Sequence, residues 1–331
     1  MRPKLTIPLC AALLLSACAV FIPKRVGPPS EVSVEITPER VALGKKLAEG
    51  IMACGACHTT GAFEGDPRPD MYLAGDVVFS KMEGKIAVPN ITPDKETGIG
   101  DWTDGELIRA ITKGVNRDNR LLVPLMPWAD FGAALTREEV EALVAYLRTG
   151  PAPVRHMPDE TDLTTFASLI MSTGMVYNMF AKEPFFSDYE PRLGTPVERG
   201  ERLAYLGMCV DCHAYFPKFP GAPKFGAPLA GGSVIAVPGR PDVICSNLTP
   251  DMETGIGGFS DEELYDAIKY GKRLRPLPDT DMVRWPMMAR ITHHTALTDE
   301  EIADLIAYFR AQPAVEHDIV QKERERAEKK K

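Results

Sequence analysis

Cys54-Gly55-Ala56-Cys57-His58 recurs as Cys209-Val210-Asp211-Cys212-His213, 155 positions later. The repetition reaches well beyond these pentapeptides. Leu73-Ala74-Gly75 returns as Leu229-Ala230-Gly231, shifted by 156 positions. Asn90-Ile-Thr-Pro-Asp-Lys-Glu-Thr-Gly-Ile-Gly100 returns as Asn247-Leu-Thr-Pro-Asp-Met-Glu-Thr-Gly-Ile-Gly257, shifted by 157. So small a drift marks two copies of one domain that differ by short loop insertions.

Each copy carries the same helical punctuation. Thr37-Pro38 and Thr195-Pro196 predict helix starts, since threonine caps free amides and proline is tolerated at the first helical position. A middle helix is expected after Asp101-Trp102-Thr103 and after Gly258-Phe259-Ser260. The last helices are expected over Thr136–Arg148 and Thr298–Arg310, with capping boxes Thr136/Glu139 and Thr298/Glu301. Val140, Leu143, Val144 and Leu147, then Ile302, Leu305, Ile306 and Phe309, fall at helical spacing and form the expected buried faces.

Two thiols followed directly by histidine, at C-x-x-C-H spacing, are the attachment signature of c-type haem. Each thiol adds across a vinyl group, and the histidine ligates the iron. Cys54, Cys57, Cys209 and Cys212 are thus the expected attachment points of two covalent haem c groups, with His58 and His213 as proximal ligands. A zinc site is the alternative, but it normally adds a second close ligand pair for each metal. Cys245 aligns with Val88 and reads as a small buried residue; a redox thiol or haem ligand is the alternative.

An electron-carrying haem needs both iron faces filled, so that little rearranges on transfer. The second ligand is expected from the loop before each last helix. Pro124-Leu-Met126 aligns with Pro286-Met287-Met288, and each methionine lies nine residues before the leucine that precedes the capping threonine. Met126 and Met288 are therefore the expected distal ligands, with Met287 and Met282 competing for the second site. Thioether sulfur favours ferrous iron and raises the reduction potential relative to bis-histidine ligation. His293 and His294 follow Met288 and form another alternative there, while His156 and His317 read as surface residues. Asn90, Thr92, Asn247 and Thr249 are candidate donors to the haem propionates; closing the Asn-x-Thr-Pro-Asp turn is the other reading.

The N-terminus reads as an export signal, with Arg2 and Lys4 before an apolar Leu5–Leu15 run too short to span a membrane. Leu15-Ser16-Ala17-Cys18 resembles a bacterial lipobox, which implies cleavage after residue 17 and a lipid on Cys18 that holds the chain at a membrane. The formal net charge of −8 argues against a nucleic-acid partner. The expected plan is signal peptide 1–17, tether 18–36, domain 37–155, a linker 156–194 with an apolar-faced helix over Phe166–Phe180 packed between domains, domain 195–315 and a charged tail 316–331.

Taken together, these modules resemble class I cytochrome c. The resemblance implies a mostly α fold of two tandem domains, with first and last helices crossing over a haem edge and Gly44 and Gly200 permitting the close crossing. Tyr146 and Tyr308 occupy equivalent places at that crossing. The order Leu-Ala-Gly, Asn-[Ile/Leu]-Thr-Pro-Asp-x-Glu-Thr-Gly-Ile-Gly, Pro-x-Met over residues 37–315 is similar to the multihaem cytochrome c subunits of bacterial membrane-bound alcohol, aldehyde and gluconate dehydrogenases. Those subunits carry three haem modules where this chain has two. The resemblance implies an electron carrier without substrate chemistry of its own. It would be periplasm-facing and lipid-anchored, at the inner or the outer membrane. A dehydrogenase donor and a quinone- or oxidase-linked acceptor would be its partners. A dihaem peroxidase with an open iron, or a sulfur-compound dehydrogenase with thiolate ligation, are the enzyme alternatives.

Overall fold

Thr37 and Thr195 each start a helix, and the helix that follows each carries the chain towards a haem signature. The structure is a computed structural model; it describes residues 26–80, 84–172, 194–214, 229–235, 243–277, 280–282 and 287–319. Helix α1 is Pro38–Glu49, and the Arg40 amide donates to Thr37 Oγ1 at 3.3 Å. The first signature closes a short helix α2, Gly55–His58. Strands β1 (Asp76–Ser80) and β2 (Gly84–Val88) pair antiparallel, and β3 (Asp162–Leu163) adds to the other edge of β2. Helices α3 (Asp104–Lys113), α4 (Trp128–Ala134) and α5 (Arg137–Thr149) precede β3, and α6 (Thr165–Ser172) follows it.

The same order then returns. Helix α7 (Pro196–Leu206) leads to α8 (Cys209–Cys212), the paired strands β4 (Val234–Ile235) and β5 (Val243–Ile244), and α9 (Asp261–Tyr270). A hairpin of β6 (Lys272–Leu277) and β7 (Thr280–Met282) has no counterpart strand pair in the first half; there, the bridge Val115–Leu121 occupies the corresponding loop. Helices α10 (Met287–His294) and α11 (Asp299–Arg310) complete the set. Contacts divide the chain into two compact units. The residues up to Lys45, Cys57–Thr60 and the stretch from Arg68 to Tyr189 form one; Lys46–Ala56, Gly61–Pro67 and the chain from Glu190 form the other.

Helix ends follow local chemistry closely. Both expected capping boxes form, and three more appear at Thr103/Glu106, Thr195/Glu198 and Ser260/Glu263. All eight residues of the expected apolar faces on α5 and α11 are buried. These faces meet the first helix of their half at a very close crossing. A Cβ on Gly44 would lie 1.9 Å from Ala142 O and 2.8 Å from Tyr146 Cβ. For Gly200 the same two distances are 1.9 Å to Asp304 O and 2.8 Å to Tyr308 Cβ. Only the missing side chain lets the two backbones touch.

Three details differ from the sequence expectation. The linker begins as part of the first unit, because β3 pairs with β2. Helix α6 leaves Phe166 60% and Leu169 49% exposed, so this part of the expected apolar face is not packed away; its continuation beyond Ser172 lies outside the described residues. The charged tail does not start at Glu316, since His317 and Ile319 are both buried. No helix among the described residues is long and apolar enough to cross a membrane.

Candidate haem sites

The two signatures sit in matched backbone. The residue preceding each is left-handed, with Ala53 at φ 49° and Met208 at φ 57°. Leu73 (φ 59°) and Leu229 (φ 68°) repeat the same unusual conformation in the Leu-Ala-Gly loops. Non-glycine residues pay strain for such angles. Its recurrence at both equivalent pairs shows that the loop geometry, as well as the sequence, is duplicated. Each loop closes on its histidine: the Gly75 amide donates to His58 O at 2.7 Å, and the Gly231 amide to His213 O at 2.6 Å.

The imidazoles are oriented by backbone carbonyls. His58 Nδ1–H donates to Pro89 O at 2.8 Å, and His213 Nδ1–H donates to Ser246 O at 2.7 Å. Fixing the proton on Nδ1 leaves Nε2 as the lone-pair nitrogen, the arrangement a metal-bound histidine requires. Burial lowers the pKa of both rings, and the carbonyl bond opposes it in part, so each imidazole is held towards its neutral, ligating form. Cys54, Cys57, Cys209 and Cys212 are half-buried and none is in a disulfide. Two thiols and one neutral imidazole on a single turn fit a covalent haem c. The zinc alternative needs a second ligand pair, and the described residues contain no group of three or more His, Cys, Asp or Glu arranged to hold a metal ion.

Pro89 and Ser246 are held in place by the turns that follow them. Asn90 Oδ1 accepts from the Thr92 amide at 2.9 Å and from Thr92 Oγ1 at 2.7 Å. The Asn90 amide group donates to Val154 O at 2.7 Å, with His156 O and Thr97 Oγ1 each at 3.1 Å. Asn247 repeats this with Thr249, Thr254 Oγ1 at 3.2 Å and Val315 O at 2.8 Å. The side chains of Asn90, Thr92, Asn247 and Thr249 are buried. Their N–H and O–H groups are spent tying the turn to the chain that leaves the last helix.

The histidines outside the signatures also fall into place. His317, expected at the surface, is buried; its Nδ1–H donates to Ala230 O at 2.8 Å, and its ring fills the space where Gly232 has no side chain. His156 is half-buried at the equivalent point of the first half. His293 Nδ1 lies 2.7 Å from Glu49 O and His294 Nδ1 3.2 Å from Ile268 O. Both carbonyls make those nitrogens donors.

Met126 is half-buried in a tight loop, its amide donating to Val123 O at 3.1 Å and its carbonyl accepting from the Trp128 amide at 2.8 Å. Trp128 anchors this loop. It is buried and lies flat on Gly114, where a Cβ would come within 2.5 Å of the indole. Met288 lies on α10, but its side chain, like that of Met282, lies outside the described residues; Met287 is half-buried. Cys18 and the residues expected to form the export signal, 1–17, also lie outside them. Cys245 is buried, and its thiol pKa is pushed far up by burial and then by the neighbouring Cys212, so it is held as an uncharged thiol. Tyr146 and Tyr308 are buried at the helix crossings.

Residues 41–151 match the cytochrome c family, and this part of the chain is a cytochrome c domain. Similar proteins include the fructose dehydrogenase cytochrome subunit of Gluconobacter japonicus, 32% identical over 79% of this chain and 50% of that protein. The cytochrome c subunit of the quinone alcohol dehydrogenase of Gluconacetobacter polyoxogenes is 31% identical over 66% of this chain and 45% of its own length. The chain thus spans about half the length of these curated relatives. A diheme cytochrome c-type protein of Cereibacter sphaeroides is 27% identical over 96% of this chain and 100% of that protein.

Proposed function

We propose that the chain is a dihaem c-type cytochrome, built as two tandem class I modules over residues 37–155 and 195–315. Its role is to carry electrons from a dehydrogenase to a quinone- or oxidase-linked acceptor in a periplasmic respiratory chain, without substrate chemistry of its own. The observation that carries this reading is the matched pair His58–Pro89 and His213–Ser246, each histidine following a C-x-x-C pair that is in no disulfide. A haem c iron there supplies a one-electron couple. The protein's part would be to hold each imidazole in one tautomer, with Met126 and Met288 as the further ligands to the two irons, and to enclose the cofactor so that little rearranges on transfer. Export and a lipid on Cys18 would place both sites at the periplasmic face of a membrane. Similarity to dehydrogenase cytochrome subunits supports a dehydrogenase as donor.

The test is the oxidised near-infrared spectrum of the purified protein with haem content measured on the same sample. Two haems per chain, methionine-to-iron charge-transfer intensity for both, and no change on adding peroxide are expected. A single such band beside a high-spin haem that reacts with peroxide would overturn the carrier reading in favour of an enzyme.

A further inference from the structure

Gly207 lies just before Cys209 and caps α7 with φ −84° and ψ 0°, a turn conformation compatible with ordinary residues. Its missing side chain therefore serves space and not the backbone. A Cβ there would lie 3.0 Å from Ile51 Cδ1, 3.1 Å from Leu203 O and 3.4 Å from Cys209 Sγ. Ile51 itself leads into Cys54. The approach to one signature thus fills a gap left by a glycine at the approach to the other. With the signatures aligned, Met52 is the counterpart of Gly207, so the small residue is present in one copy only.

The turn that carries Ile51 is stiff. The amides of Gly50, Met52, Ala53 and Cys54 donate to the carbonyls of Lys46, Leu47, Gly50 and Ala48 at 2.9–3.1 Å. Ala48, Ile51, Met52 and Ala53 are all buried. A displacement of Ile51 is therefore passed on to Cys54, since a close-packed interior transmits strain. Two further bonds anchor this turn to later helices. Lys46 Nζ donates to Glu301 Oε1 of α11 at 2.6 Å, and His293 Nδ1–H of α10 donates to Glu49 O at 2.7 Å. All of these residues belong to the second of the two compact units.

We propose that Ile51 and Gly207 are positioning residues that set the spacing between the two haem-attachment turns, and so the coupling between the two irons of the dihaem reading, on which the proposal rests. The sites then act as a coupled pair rather than as two independent carriers. No side chain stands at 207 to keep Ile51 off the Cys209 turn. A larger residue there drives Ile51 away, and Cys54 moves with it. A smaller residue at 51 gives the room back.

Pulsed EPR of the fully oxidised, haem-loaded, full-length protein tests it, with haem content and the near-infrared spectrum taken on the same sample. The dipolar modulation between two low-spin ferric irons has a frequency that falls with the cube of their separation. A resolved modulation is expected for the unaltered protein. Gly207→Val should lower its frequency, and adding Ile51→Ala should return it most of the way, a reversal that a general loss of stability would not produce. Gly207→Ala asks Ile51 to give way by less; it should shift the frequency in the same direction and serves if the valine variant does not fold. One haem per chain would overturn the dihaem reading itself. Two methionine-ligated haems with no resolved modulation, or with a modulation indifferent to both substitutions at Gly207, would overturn the proposal and leave that reading standing.

Discussion

Gly44 and Ala142 meet backbone to backbone: a methyl group on Gly44 would stand 1.9 Å from the Ala142 carbonyl oxygen. Intrinsic propensity alone would make Gly44→Ala stabilising by about 1 kcal/mol, since glycine is a poor helix former. The clash decides the sign, because the obstacle is backbone that cannot swing away. Gly44→Ala and Gly200→Ala should each destabilise by about 1–3 kcal/mol or more, read as a lower urea midpoint of the haem-loaded protein. A raised midpoint would mean that the crossing opens at little cost.

Exchanging Met126 for histidine tests the proposed ligand set without removing a ligand. Met126→His should lower the potential of one haem and remove about half of the methionine-to-iron charge-transfer intensity, because a harder donor favours ferric iron. Redox titration with near-infrared detection reads both effects. Unchanged potentials would exclude Met126 from the iron.

Asn90 ties the turn behind His58 to the carbonyls of Val154 and His156. Truncation to alanine leaves buried carbonyls without their donor and should cost about 1–3 kcal/mol. Asn247→Ala should act alike through Val315. The distinguishing readout is spectroscopic. Loosening Pro89 or Ser246 alters the hydrogen bond on the histidine, so the resonance Raman iron–histidine mode of the reduced protein should shift as well. A stability loss with no shift would confine the role to folding.

Asp94 and Asp251 accept from the amides and hydroxyls of Thr97 and Thr254, which lowers both carboxyl pKa values. A group with a depressed folded-state pKa stabilises the fold fully above its unfolded value of about 3.9. That contribution is lost as pH falls through the folded value. Asp94→Asn and Asp251→Asn should therefore weaken the protein at neutral pH and flatten the acid limb of its stability profile, followed by circular dichroism. A limb as steep as wild type would assign acid unfolding to other carboxylates.

Much of the local architecture was legible because it rests on short-range rules. Thr136 with Glu139 and Thr298 with Glu301 announce helix starts through a bond that spans three residues, and both form. Cys54, Cys57 and His58 share one turn, so spacing alone brings them together. The hairpin of β1 and β2 left no such mark, since its register depends on partners across the sheet. The distant partners of Asn90 and Thr92 left no mark for the same reason. Their donors point towards Val154, 64 and 62 residues away, and nothing in the pentad Asn-x-Thr-Pro-Asp says which acceptor takes them.

Sequence by itself determined the duplication, the two thiol–histidine signatures and the helix caps, because each is written in residue identity at fixed spacing; the role of Gly44 and Gly200 came from the family resemblance. Tertiary structure decided which carbonyl orients each histidine, where the Asn90 and Asn247 latches close, and that His317 is buried. It also decided that residues 27–35 run along α3, with the Val34 amide on Asp104. Those outcomes depend on which distant segments meet, and a repeat copies residues more faithfully than it copies their neighbours.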